Sequence, residues 1–189
     1  MPMYLKRDSI RFLEASVSAI SLAVTSVGLP QRYEFREESA EYAIAIGLAG
    51  VAAELSMSSV IVQAQGEEAL KFPSGFYKTG SNIVDDFRKL VISKIPKMVF
   101  LTQGIEKPAE YIDELLDATS KLKLLIKLRA SGLHAGRGPS ADVCIACVNS
   151  VIHFIELLGE SSRIKSYIET LPKPIKMFKS YELIVDELI

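Results

Sequence analysis

The chain has 189 residues, 49% of them hydrophobic, and a formal net charge of −1 from 22 basic and 23 acidic side chains. That length supports one domain with its own core plus an appended element, and the apolar content excludes a disordered chain. The near balance of charge excludes a body-wide pull toward nucleic acid or anionic membrane, so any nucleic-acid site has to be a local patch.

Two cysteines, Cys144 and Cys147, are too few and too close for a disulfide framework and fit a reducing cytoplasm. The N-terminus, MPMYLKRDSIRF, lacks the basic-then-apolar layout of a signal peptide. The apolar run from Tyr42 to Ala53 stops at Glu54, short of the roughly 20 residues of a membrane span. These features predict a soluble, cytoplasmic protein with no membrane partner.

Apolar spacing is helical along nearly all of the chain. A first helix is predicted over about 8–28, capped by Asp8 or Ser9 and stopped by Gly28-Leu29-Pro30. A second covers about 37–64, opening with Glu37 and Glu38. On it Ala43, Gly47, Gly50 and Glu54 share one face, so a neighbouring helix can approach closely and Glu54 falls at the end of a tight seam, where a carboxylate needs a partner. Residues 66–80, GEEALKFPSGFYKTG, read as an irregular loop, followed by a short helix over about 81–93 that Ile95-Pro96 breaks and a piece of undefined type from Val99 to Gly104.

A long helix follows from Pro108 to about Ala130, with Gly132 ending it. Leu115, Leu122, Ile126 and Arg129 lie on one of its faces, so Arg129 continues the buried stripe. The next helix starts at Gly138-Pro139 or Ser140 and runs to about Leu158, with Gly159 behind it. Residues 160–189 are predicted as two more helices separated by Pro172-Lys173-Pro174, the last one amphipathic and running to Ile189, as if leading into a further domain or docking on a partner. The fold class expected is all-α: an up-down bundle of four main helices over 1–159, an irregular insert between the second and third, and a C-terminal helical extension over 160–189.

One stretch carries chemistry, residues 127–142, KLRASGLHAGRGPSAD. Between Asp117 and Asp142 there is no acidic residue, while Lys121, Lys123, Lys127, Arg129, Arg137 and His134 all fall in that interval. Glycines beside a helix start add backbone N–H groups that favour an anion, so Lys121, Lys123, Lys127 and Arg137 are candidate phosphate or RNA contacts. The structural alternative is a solvated helix face, an ordinary inter-helix turn, and Arg129 paired with Glu54 for packing alone.

Other features resolve toward structure. Cys144-Ile-Ala-Cys147 sits in an apolar helical run without the strand a redox motif needs. Zinc held by Cys144, Cys147, His134 and His153 is disfavoured because His153 stands at a different level of the helix, so no metal or cofactor is expected. Phe72, Phe76 and Tyr77 beside Lys71 and Lys78 could stack bases or plug the bundle's end. Asp85-Asp86 and Glu67-Glu68 read as surface charge. No P-loop, nucleophile elbow, zincin or dinucleotide-binding pattern occurs.

Arg129-Ala-Ser-Gly-Leu-His134, at the junction of the third and fourth main helices, resembles the motif of the HEPN family, the "higher eukaryotes and prokaryotes nucleotide-binding" domains. The resemblance spans about residues 9–158 in helix order. It implies a four-helix bundle acting as a homodimer, a metal-independent endoribonuclease of defence or toxin–antitoxin systems, with Arg129 and His134 catalytic and single-stranded RNA as substrate. Glu54 and Ser131 would be supporting residues, and an antitoxin or effector a further partner. The family often has a polar residue after the Arg, where this chain has Ala130. The alternative reading is therefore a non-catalytic helical module binding RNA or protein.

Overall fold

The computed structural model describes residues 4–28, 40–93, 96–135 and 139–176, apart from the side chains of 96, 97, 124, 127 and 130–135. Among these residues the chain is all-α, with five α-helices: α1 (Arg7–Gly28), α2 (Ala40–Gln65), α3 (Ser81–Ile92), α4 (Pro108–Ala135) and α5 (Ala141–Glu160).

Helix α2 is the centre. It is apolar around its whole circumference and packs on each of the other four helices, the pattern of a helix enclosed by its neighbours. Its small residues, Ala45, Ala49, Ala52 and Ala53, are all buried and let those neighbours close in. Against α1 the contact is antiparallel and laced by serines: the Ser9 hydroxyl donates to the Ser59 carbonyl at 2.9 Å, and Ser16 to the Ala52 carbonyl at 2.8 Å. These bonds satisfy hydroxyls that would otherwise be costly inside. Gly66 follows α2 at φ 93°, a left-handed residue that closes the helix, its N–H donating to the Val62 carbonyl.

Helices α3 and α4 are likewise antiparallel: Arg88 donates to the Leu116 carbonyl and Ser120, one turn on from where Lys123 faces Asp85. Pro108 opens α4, as expected. Ser140 caps α5, its Oγ accepting from the Val143 N–H. Phe87 of α3 meets Phe154 of α5 edge-to-face, with ring centroids 5.5 Å apart.

Four expectations are corrected. Gly132 does not end α4, which continues through Ala135. Gly159 does not cap α5 but lies inside it, where Ile168 packs on its bare Cα. The insert of residues 66–80 contains a 3₁₀ turn over Glu67–Leu70 and an antiparallel bridge between Lys71 and Tyr77. Over the described residues beyond Glu160, 161–176, the chain forms one 3₁₀ turn, Lys165–Tyr167, and no α-helix, and side-chain contacts tie it to the bundle. Ser161 donates to the Phe100 carbonyl, and Asn149 brackets Ile175 with two bonds of 2.7 Å. The piece from Val99 to Gly104 finishes a 3₁₀ helix, Pro96–Leu101, and turns. Glu37, Glu38, Ile95 and the helix expected over the last residues lie outside the described residues.

Helices α1, α2 and α5 are each long and apolar enough to cross a membrane by length and composition. The sequence-based expectation rested on a single uncharged run and missed this. In α2 and α5, 72% and 61% of the apolar window is buried inside the fold, so the protein's own core takes up most of that surface.

Candidate functional site

Arg129 and Glu54 meet across the α2–α4 seam. The guanidinium donates from Nη1 to Glu54 Oε1, with the two side chains 24% and 14% exposed. The approach depends on Gly50, one turn before Glu54: a Cβ there would stand 2.6 Å from Arg129 Cδ. The small-residue face of α2 thus has a specific use, giving room for the stem of an arginine. The same Glu54 oxygen accepts the Gly80 N–H at 3.0 Å. Gly80 begins α3 at φ 54°, a backbone state that suits glycine and turns this N–H toward α2. Burial pushes the Glu54 carboxyl above its ordinary range; the Arg129 charge, the Gly80 N–H and the Arg129 hydrogen bond pull it back without cancelling that rise.

The pair borders a cavity of about 240 Å³. Phe12 of α1, Val51 and Leu55 of α2 and Ile83 of α3 supply apolar walls, with Tyr77 and Lys78 of the insert on another side. Tyr77 is 53% exposed and marks the side open to solvent.

The remaining sequence-predicted residues are spread out. His134 lies five residues beyond Arg129 in the last turn of α4, and such positions on a continuous helix stand about 140° apart around its axis. Ser131 stands in the same turn; Arg137 lies outside the described residues, as do the side chains of Lys127, Ser131 and His134. Lys121 pairs with Asp117 at 3.0 Å, and Lys123 approaches Asp85 at 4.0 Å. The acid-free interval of the sequence thus has three carboxylates beside it in space, Asp117 from the preceding turn, Asp85 from α3 and Glu54 from α2.

Among the described residues no group of three or more His, Cys, Asp or Glu is placed to hold a metal. Cys144 and Cys147 are buried thiols, each pushed up to about 12 by burial, and His153 is exposed. In the insert, Leu70 plugs the core at 2% exposure, while Phe76 and Tyr77 face outward, so those two do not serve as the plug. Lys71 lies over the Tyr77 ring at 5.3 Å and Lys78 near Phe72 at 6.0 Å.

Two site residues escaped sequence reasoning. Gly80 carried no signal, since a left-handed glycine is read from the backbone. Ser58 lines the cavity one turn beyond Glu54; it continues the 47, 50, 54 spacing and was legible there. Compared with known protein families, curated proteins and solved structures, the chain matches none.

Proposed function

We propose that the chain is an up-down four-helix module of HEPN type, with α1, α2, α4 and α5 as the four main helices. It acts as a cytoplasmic, metal-independent endoribonuclease of a defence or toxin system, working as a homodimer on single-stranded RNA. The helix directions support the bundle: α1 runs against α2, and the Cys144 thiol near the start of α5 lies 3.8 Å from the Tyr42 carbonyl near the start of α2.

The observation that carries the function is the placement of Arg129. It is a permanent cation, fixed by a carboxylate beside a cavity, five residues before a histidine. In the reaction the ribose 2′-OH attacks the adjacent phosphorus, the P–O5′ bond breaks, and the product carries a 2′,3′-cyclic phosphate. One His134 takes the 2′-OH proton and the partner's His134 supplies one to the leaving O5′; imidazole, with an unperturbed pKa near about 6.5, does both at neutral pH. Arg129 stabilises the charge on the pentavalent phosphorane. Two copies meeting at a two-fold axis near the motif would bring two Arg129 and two His134 side chains to one site.

Analysis of RNA product ends after incubation with the protein in excess EDTA tests this reading. Cyclic phosphate ends support it, and RNA left intact beside an active control nuclease opposes it. A second reading, a non-catalytic module that binds RNA or a partner protein such as an antitoxin, is favoured by one observation: Glu54 already answers the charge of Arg129. Intact RNA that nonetheless binds the protein would select it.

A further inference from the structure

The cavity beside Arg129 has features that phosphate chemistry does not use. Its volume, about 240 Å³, lies below the roughly 300–1,000 Å³ of pockets for drug-sized ligands, so it accepts a single ring system and not a whole nucleotide. Phe12, Val51, Leu55 and Ile83 offer apolar surface of the kind that packs on the faces of a flat ring. On α2 two polar groups lie one helical turn, about 6 Å, apart along the wall. Glu54 spends Oε1 on Arg129 and Gly80, and among the described residues no protein donor reaches its Oε2. Ser58 is 5% exposed, lines the cavity, and among the described residues has no hydrogen-bond partner for its hydroxyl. The Ser58 hydroxyl is thus left to water or to a ligand in the cavity.

We propose that this cavity is a pocket for one base of the RNA strand, selecting bases with an exocyclic amino group over uracil. The inference rests on the reading of the chain as an RNA-handling module. An ionised carboxylate only accepts hydrogen bonds. Adenine, cytosine and guanine can each point an amino N–H at Glu54 Oε2, while uracil flanks its single N–H with two carbonyl oxygens that the carboxylate repels. Ser58, which donates or accepts, meets the neighbouring ring atom. The base would sit beside Arg129, so the pocket would fix which nucleotide adjoins the cleaved phosphate.

The test is fluorescence anisotropy of the full chain with labelled 2′-O-methyl octamers of A, C, G and U, which cannot be cleaved because they lack a free 2′-OH. The U octamer is expected to bind about tenfold or more weakly than the A and C octamers, within the range of one base contact. Ser58→Ala should narrow that gap, and Val51→Phe, which fills the cavity, should abolish it; thermal melts of both variants verify folding. Equal binding of all four octamers, or a preference that survives Val51→Phe in a folded protein, would overturn the pocket and leave the RNA reading standing. Absence of binding by every octamer would overturn both.

Discussion

Arg129 of α4 donates to Glu54 of α2 across a seam in which Gly50 leaves room for the arginine stem. With Gly80 these residues form one device of four. The glycine sets the distance, the carboxylate fixes the guanidinium, and Gly80 N–H steadies the carboxylate. Whatever Arg129 does, it does from a held position, and holding a charged group in place before its ligand arrives is what gives it strength there.

Gly50→Ala tests the seam. The added methyl would meet Arg129 Cδ at 2.6 Å, and that carbon is mid-chain, with its far end pinned by Glu54. Overpacking of this kind costs about 1–3 kcal/mol, to be read by urea unfolding. With Arg129→Ala already present, the alanine at 50 should add little, giving a coupling in the double-mutant cycle. An additive result would mean that the seam does not depend on the arginine stem.

Glu54 makes stability depend on pH. Its folded-state carboxyl is raised, chiefly by burial, so the folded protein holds this proton more tightly than the unfolded chain. The stability it contributes is present below the ordinary glutamate value and is lost as pH rises through the raised one. Glu54→Gln, which resembles the protonated form, should therefore be at least as stable as wild type at pH 7, with the difference closing as pH falls toward the ordinary glutamate value. Glu54→Ala, which leaves Arg129 without its partner, should lose about 1.5–3 kcal/mol. A glutamine variant whose deficit grows as pH rises would contradict the assignment.

Much of this seam was legible in the sequence. The spacing of Gly47, Gly50 and Glu54 placed a carboxylate at a close helix contact, and the spacing of Leu115, Leu122, Ile126 and Arg129 placed an arginine on the buried face of another helix. What spacing could not give was that the two faces meet, since that depends on how α2 and α4 cross. The fate of the lysines was also hidden: Asp85 is far from Lys123 in sequence and reaches it only because α3 runs against α4. Gly132 and Gly159 misled for one reason. A glycine near a predicted boundary looks like a stop, yet α4 tolerates the first and α5 uses the second to admit Ile168.

Cys144 and Cys147 should be inert. Both are buried, with thiols pushed up to about 12, so almost no thiolate exists at pH 8. A thiol reagent such as DTNB should label neither in the native protein and both in urea. Rapid native labelling, or a tightly bound equivalent of zinc, would contradict their packing role.

Gly159→Ala should detach the segment after α5. A Cβ there would overlap the Ile168 side chain, which has to move for an alanine to fit. A loss of about 1–3 kcal/mol is expected, with faster proteolysis within residues 161–176. Ile168→Ala should restore most of the loss caused by the glycine change. A single Gly159→Ala variant that melts like wild type would show that this contact does not hold the segment.

The most direct test of the central claim is cleavage of a mixed-sequence single-stranded RNA in excess EDTA by wild type and by His134→Ala, with circular dichroism confirming that both are folded. The account predicts metal-independent cutting that falls about 100-fold or more in the variant, the scale of a lost general acid–base group. Cutting by His134→Ala at the wild-type rate would contradict it.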